Sequence, residues 1–269
     1  MTDAYAAWLE RATPTARELA ARWSLTLEAP FSGPEVSCAW VAAGARADGT
    51  PVVLKLGMPH MEARDEIRGL RFWNGDATVR LLDADESLNA MLLERCEPGT
   101  HLRQSPEPEQ DVVLAGLLRR LWRKPPPGVF RPLREMTTDW ADRARANRPA
   151  GLDPGRFRDA LDLFAELSRP APSDVLLATD LHAGNVLRAR REPWLVIDPK
   201  PFVGDPAYDA TQHLLNCRAR LRADPHGLIA RFAELLEVSR ERVRSWTFAR
   251  AVLGFHGTFA YVATALEKS

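Results

Sequence analysis

Residues 177–200 limit the folds open to this chain more than any other stretch. Leu177-Ala178-Thr179 leads into the polar loop Asp180-Leu181-His182-Ala183-Gly184-Asn185, and Val196-Ile197-Asp198-Pro199-Lys200 follows. Between them, Val186 to Ala189 and Trp194 to Ile197 are short apolar-rich runs of similar length, separated by the turn-like Arg190-Arg191-Glu192. The spacing predicts an out-and-back hairpin that returns Asp198 to Asn185. Asp180 and Asn185 stand in the D-x-x-x-x-N spacing that serves phosphoryl transfer, where the Asp accepts the proton of an attacking hydroxyl and the Asn holds magnesium. Asp198 offers a second oxygen ligand. Two such ligands suit Mg²⁺, which takes few protein groups and fills its octahedron with water and phosphate oxygens. Either half alone is weak, because Asp and Asn recur at this spacing by chance and Asp-Pro is an ordinary turn. A matching lysine upstream gives the pair its weight.

With 269 residues and 45% hydrophobic content, the chain can bury a sizeable core as one large domain or two packed lobes. Lys plus Arg and Asp plus Glu both number 36, so charge gives no general reason to expect a nucleic-acid or acidic-membrane partner. Cys38, Cys96 and Cys217 are far apart with no C-x-x-C spacing, which fits a reducing, cytoplasmic setting. Asp3 and Glu10 near the start are not the basic and apolar regions of a secretory signal. Ala251 to Leu266 is too short for a membrane span, is interrupted by His256, and reads as a buried helix. There is no G-x-S-x-G, no H-E-x-x-H and no dinucleotide fingerprint, and aromatic residues do not interleave with a basic stretch.

In chain order, residues 3–23 read as two helical pieces, the second capped by Thr13 with Pro14 in first position. Short β-like runs follow at Leu25 to Ala29, Val36 to Ala42 and Pro51 to Gly57, with Asp48-Gly49 as a hairpin signal between the last two. Lys55 sits in Val52-Val53-Leu54-Lys55-Leu56, a strand of the kind that reaches α and β phosphates; a solubilising edge-strand lysine is the competing reading. Met61 to Trp73 is helix-compatible with Ile67, Leu70 and Trp73 on one stripe, and it carries Glu62 and Glu66. Glu66, mid-helix, is the better partner for Lys55. Val79 to Leu82 and Ala90 to Leu93, joined by the acidic turn Asp83 to Glu86, complete a five-stranded sheet. Glu94-Arg95-Cys96-Glu97-Pro98-Gly99 marks a hinge where an adenine meets backbone groups. Helices are then expected at Gln110 to Trp122, Thr138 to Arg145 (capped by Thr137 or Thr138), Pro154 to Leu167, Asp209 to Arg220, Leu228 to Leu236 and Ser239 to Leu266. His213, His226 and His256 read as surface or satisfied core histidines rather than ligands, for want of a His/Cys cluster.

A β-rich part with Lys55, a helix with Glu66, a Pro-Gly hinge, and a helical part with Asp180, Asn185 and Asp198 is the order found in protein-kinase-like phosphotransferases, which the chain resembles. More narrowly, Leu92-Leu93-Glu94-Arg95-Cys96-Glu97-Pro98-Gly99-Thr100, Ile197-Asp198-Pro199-Lys200 and Gly204-Asp205-Pro206-Ala207-Tyr208-Asp209 resemble the aminoglycoside and hydroxyurea resistance kinases, the streptomycin 6-phosphotransferase group, over roughly residues 24–216. The resemblance implies an α+β, bilobal protein-kinase-like fold: a nucleotide-binding lobe over residues 1–96, with a five-stranded antiparallel sheet and one main helix, and a mostly helical lobe over residues 97–269. It implies an ATP- and Mg²⁺-dependent enzyme in which Asp180 is the base, Asn185 and Asp198 bind magnesium, Lys55 and Glu66 position phosphates, and the backbone around Glu94 to Cys96 binds adenine. Asp205 and Asp209 would be chiefly structural. The implied partner is a cationic small-molecule acceptor, streptomycin first, with Asp139, Asp142, Glu97, Glu107 and Glu109 as candidate carboxylates for its ammonium or guanidinium groups. The alternatives are a kinase of another small alcohol or a hydroxyurea-like acceptor, and a nucleotide-binding module without catalysis. Two departures stand out. The family's His-Gly-Asp is Ala178-Thr179-Asp180 here, so the histidine that braces the loop is missing; and the loop 31–37 has one glycine, Gly33, and a Pro34 with no N–H for a phosphate.

Overall fold

Strand alternation organises the first third of the chain. The computed structural model describes residues 3–32, 38–148, 152–254 and 259–266. The loop positions 33–37 and His256 therefore lie outside the described residues. Contacts divide the chain into two units, Met1–His101 with Leu187–Asp198, and Leu102–Val186 with Pro199–Ser269.

In the first unit, helix α1 (Asp3–Arg22) precedes strands β1 (Leu25–Pro30), β2 (Ala39–Arg46) and β3 (Pro51–Gly57), then α2 (Glu66–Trp73), β4 (Leu81–Asp85) and β5 (Ala90–Glu94). The sheet is five-stranded in the order β1-β2-β3-β5-β4, with every pair antiparallel. Asp48-Gly49 makes the β2–β3 turn: Gly49 takes φ +82°, and Thr50 N donates to Asp48 Oδ1 at 2.9 Å. Because side chains alternate faces along a strand, Leu54 and Leu56 pack with Trp40 and Ala42 against Ala12, Ala16 and Leu19 of α1. Val53, Met91 and Leu93 fall on the opposite face, with Ile67 and Leu70 of α2.

One helix and two strands need correction. α1 is one helix running through Pro14, not two pieces. Pro14 is exposed, so the carbonyl of Glu10 that loses its partner lies on the solvent side, and Ala12, Ala16 and Leu19 stay packed on either side of it. The fourth strand starts at Leu81 rather than Val79, because Val79 N donates instead to Val196 O at 3.0 Å, and it runs to Asp85, so Asp83 to Asp85 of the expected acidic turn are strand. The second strand continues past Ala42 to Arg46, paired with β3 from Ala39 to Ala45.

The second unit begins with α3 (Glu107–Leu121), α4 (Leu133–Ala146), α5 (Pro154–Leu167) and β6 (Val175–Leu177). α4 starts well before Thr138: Pro132 precedes its first turn, and Thr137 is buried inside it with its hydroxyl on Arg134 O at 3.2 Å. α5 has the expected bounds, its first turn capped by Asp153, which accepts from Arg156 N at 2.9 Å. β7 (Val186–Arg188) and β8 (Trp194–Val196) then pair as the expected hairpin. Its backbone joins the first unit through Arg188 N to Thr100 O at 2.8 Å and Val196 N to Ala77 O at 2.8 Å. β9 (Phe202–Gly204) returns antiparallel to β6, with Leu177 opposite Phe202.

Helices α6 (Ala210–Asn216), α7 (Arg218–Ala223), α8 (Pro225–Leu236), α9 (Arg240–Leu253) and α10 (Ala260–Leu266) complete the second unit. The helix expected over Asp209 to Arg220 breaks at Cys217, whose ψ of 54° is not helical. The one expected from Ser239 to Leu266 is described as α9 and α10. Trp246 of α9 anchors the core, 5.0 Å from the Tyr208 ring and 5.8 Å from Phe164. Among the described residues no helix is long and apolar enough to cross a membrane.

Candidate functional site

Lys55 takes its place from the register of β3. Lying between Leu54 and Leu56, it points to the α2 face, and β3 sits between β2 and β5, which removes the edge-strand reading. Lys55 is buried at 6% exposure, and a buried ammonium must be paired. Its Nζ donates to Glu66 Oε1 at 2.6 Å and to Asp198 Oδ1. Glu66 is the first residue of α2 rather than mid-helix, because a 3₁₀ turn over Glu62–Asp65 occupies the preceding positions. Asp198 follows β8 in the left-handed region, φ +55°, with its carboxylate about a third exposed. The arrangement is a lysine steadied from below by a buried carboxylate and engaged by a second one open in part to solvent.

Glu94 and Cys96 sit at the end of β5. Arg191, in a stretch of turn composition, reaches both Glu94 oxygens, with Nε to Oε1 at 3.0 Å and Nη2 to Oε2 at 2.9 Å. It also donates to the carbonyls of Gly75 and Thr78, each at 2.9 Å. Burial works against the charge on Glu94, but Arg191 outweighs it and holds the carboxyl below its ordinary range. The Glu94 side chain is therefore a tie for the hairpin. Cys96 packs with Ile67, Leu93 and Leu195, and burial pushes its thiol up to about 12, so it stays protonated and is part of the apolar packing.

In the second unit the pairing of β6 with β9 sets the loop that carries Asp180. Thr179 stands at φ +48° where the family's motif has glycine, a conformation that costs a non-glycine residue about 1–2 kcal/mol. Hydrogen bonds hold it there: Thr179 N to Asp209 Oδ1 at 2.8 Å, Ala178 N to Asp209 Oδ2 at 3.0 Å, and Thr179 Oγ1 to Lys200 O at 2.5 Å. Trp122 Nε1 also donates to Asp209, at 2.9 Å. Burial raises the Asp209 carboxyl to about 6, against the pull of these donors and of Arg250. Asp205 accepts from Trp246 Nε1 at 2.7 Å and Arg242 Nε at 2.8 Å. Both aspartates are thus committed to holding backbone and helices.

Asp180 and Asn185 are brought together: Asn185 Nδ2 donates to Asp180 O at 3.1 Å. Asn185 belongs to the second unit and Asp198 to the first. Gln212 of α6 donates to Asp180 Oδ1 at 2.6 Å, and Arg250 of α9 donates to Gln212 Oε1 at 2.7 Å. Nothing in the local sequence marks Gln212, Arg250 or Arg191, since each meets its partner only through tertiary packing.

Four of the five carboxylates named for a cationic acceptor are already paired with arginines. Asp139 and Asp142 are not at a helix start, and they pair with Arg143 at 2.8 Å and Arg145 at 2.7 Å on the same helix. Glu97 lies 3.4 Å from Arg190, and Glu107 3.6 Å from Arg220.

His213 is a satisfied core histidine as expected, but it does have a Cys and a carboxylate beside it, at Cys217 and Asp111. Arg220 grips Asp111 through both oxygens, at 3.0 and 2.7 Å, and burial pushes the Cys217 thiol up to about 12. Cationic neighbours and a protonated thiol make this cluster a structural tie rather than a cation site.

Residues 22–256 match the aminoglycoside/hydroxyurea antibiotic resistance kinase family. The chain is 38% identical over 255 residues to streptomycin 6-kinase of Streptomyces griseus, covering 91% of this chain and 82% of that enzyme. It is 40% identical over 245 residues to hydroxyurea phosphotransferase of Kitasatospora aureofaciens, covering 87% and 69%. Among solved structures, choline kinase LicA from Streptococcus pneumoniae superposes with a TM-score of 0.67 at 12% identity, covering 97% of this chain and 100% of that one. Spectinomycin phosphotransferase APH(9)-Ia, in complex with ADP and spectinomycin, superposes with a TM-score of 0.57 at 15% identity, covering 94% and 97%. The structural likeness carries the fold, α+β and protein-kinase-like; the sequence likeness carries the family. The chain belongs to the aminoglycoside/hydroxyurea antibiotic resistance kinases, and is an ATP-dependent phosphotransferase acting on a small-molecule hydroxyl.

Proposed function

We propose that the protein transfers the γ-phosphate of Mg-ATP to a hydroxyl of streptomycin or a closely related aminoglycoside. The observation that carries the nucleotide half is the buried Lys55 ammonium between Glu66 and Asp198, a charge kept at the sheet face for phosphates. The acceptor half is supported by the identity to streptomycin 6-kinases, 38% and 37%. In this reading Asp180 takes the proton of the attacking hydroxyl, Lys55 and Glu66 orient phosphates, and backbone around Glu94 and Cys96 meets adenine. Each of the two residues proposed for magnesium suits it by donor type: with the Asn185 amide nitrogen committed to Asp180 O, its side-chain oxygen is what it offers a cation, and Asp198 offers a carboxylate. Both are the hard oxygen donors that Mg²⁺ takes. When bound, the metal neutralises charge on the β and γ phosphate oxygens.

The test is incubation of the purified protein with Mg-ATP and streptomycin, with the product read by mass spectrometry. Addition of one phosphoryl group is expected, and Asp180→Asn should lower kcat by about 10²- to 10⁴-fold while nucleotide affinity survives. Unmodified streptomycin overturns the acceptor, and an Asp180→Asn variant within a few-fold of wild type overturns the base. Hydroxyurea belongs in the same assay as a second reading, favoured by the 40% identity to hydroxyurea phosphotransferase.

A further inference from the structure

The loop that presents Asp180 lacks the family's histidine, yet the carboxylate is held from behind. Gln212 Nε2 donates to Asp180 Oδ1 at 2.6 Å, and Gln212 Oε1 accepts from Arg250 Nη2 at 2.7 Å. The direction of the amide is dictated by its neighbours. An ionised carboxylate only accepts and a guanidinium only donates, so one orientation of the amide satisfies both ends and the flipped one neither. Arg250 is itself fixed: it is 2% exposed, its Nη1 donates to Thr211 Oγ1 at 2.6 Å, and its guanidinium lies 5.0 Å from the Tyr208 ring and 5.3 Å from the Trp140 ring.

A buried guanidinium is costly unless its charge is used. Here part of it is passed through a neutral amide, since a donor bonded to the amide oxygen polarises the amide and strengthens donation from its nitrogen. α9 supplies the charge and α6 supplies the amide, so two packed helices set the plane of a carboxylate on a loop.

We propose that Gln212, backed by Arg250, is the brace that orients Asp180 for proton abstraction. Both are positioning residues, and the proposal rests on Asp180 being the base. An amide donor steadies the carboxylate without taking its charge, whereas a lysine or arginine there would form an ion pair and weaken it as a base.

Arg250 is too deeply buried for a clean substitution, so Gln212 carries the test. Gln212→Glu keeps the size of the side chain and an acceptor for Arg250, but sets a second carboxylate against Asp180. Gln212→Leu removes both hydrogen bonds. The expected result is a fall in kcat of about 10- to 100-fold in both variants, the scale set by misplacing a reacting group, with KM for ATP and streptomycin little changed. Gln212→Glu should also keep the wild-type melting temperature and thermal shift with Mg-ATP. A purely structural role predicts the reverse, a near-normal Gln212→Glu because Arg250 stays paired.

The same variants are read through slow hydrolysis of Mg-ATP, so the comparison does not hang on the acceptor. Crystal structures add a readout free of turnover, with the Asp180 carboxylate expected to rotate in Gln212→Leu. A Gln212→Glu enzyme with wild-type kcat, or an Asp180 carboxylate that keeps its orientation in Gln212→Leu, overturns the brace. Asp180→Asn run alongside separates the two ideas: if it is active, the base lies elsewhere, and if it is inactive beside an active Gln212→Glu, only the brace falls.

Discussion

Ala178 and Thr179 carry the departure from the family's loop motif, and the structure gives each a physical reason. Ala178 is 0% exposed, and its carbonyl accepts from Asp180 N at 2.7 Å and Lys200 N at 2.9 Å. A ring added to this fully buried residue has to enter the surrounding packing. Restoring the family's histidine by Ala178→His should therefore overpack the site, with a loss of about 1–3 kcal/mol by denaturant unfolding and a lower kcat. An Ala178→His enzyme as stable and active as wild type would show that the loop yields. Thr179 occupies the glycine position at φ +48°, and its hydroxyl bond to Lys200 O offsets strain that glycine would not feel. From the residue types alone, a histidine at 178 could be restorative or damaging; burial decides it.

Asp111 shows how the helices of the second unit are locked. From α3 it accepts from His213 of α6 at 2.7 Å, Arg220 of α7 at 3.0 and 2.7 Å, and Arg231 of α8 at 3.3 Å, with 0% exposure. Burial opposes its ionisation, but the bonds from His213 and Arg220 prevail and hold the carboxyl well below the usual range. Asp111→Asn leaves Arg220 and Arg231 without their buried counter-charge; because both guanidiniums are partly exposed and solvent answers part of the loss, the cost in chemical denaturation at neutral pH should be about 1–3 kcal/mol. A depressed carboxyl stays ionised in the folded state where the unfolded chain already takes up a proton. Its contribution is thus present above the unfolded value, about pH 4, and is lost as pH falls through the folded one. The gap between wild type and Asp111→Asn should narrow on acidification below about pH 4; a gap that widens there would contradict the assignment. The break at Cys217 makes this lock possible, because it turns Arg220 onto a separate short helix.

For the whole molecule, the readout is nucleotide-linked stability. A ligand that binds only the folded state stabilises it by about 2.7 kcal/mol at a hundredfold excess over Kd. Asp198 sits on the hairpin segment Leu187–Asp198, tied into the first unit by Arg191, while Asp180 belongs to the second. Asp198→Ala should abolish most of the rise in melting temperature given by Mg-ATP, and Asp180→Asn should leave it nearly intact. An unchanged shift in Asp198→Ala would remove that residue from the proposed metal site.

Local pattern was enough for the number of strands in the sheet, though not for the bounds of β2 and β4, and for the Asp48-Gly49 turn, the bounds of α5 and the hairpin after Asn185, because strand alternation, turn residues and caps act over a few positions. It was also enough to single out Lys55 with Glu66, and Asp180 with Asn185, since each motif is short and chemically narrow. The sequence by itself could not tell that α1 runs through Pro14, that α4 starts at Leu133, or that Asp139 and Asp142 share their charge with neighbouring arginines. Nor could it find Gln212 and Arg250 behind Asp180, or Arg191 across from Glu94, separated in the chain by 32 and 97 positions respectively from the side chains that Gln212 and Arg191 hold. A hydrogen bond between distant residues leaves no periodicity to read. It exists only once the packing of α6, α9 and the hairpin has brought donor to acceptor, so tertiary structure alone decides how the Asp180 carboxylate is held.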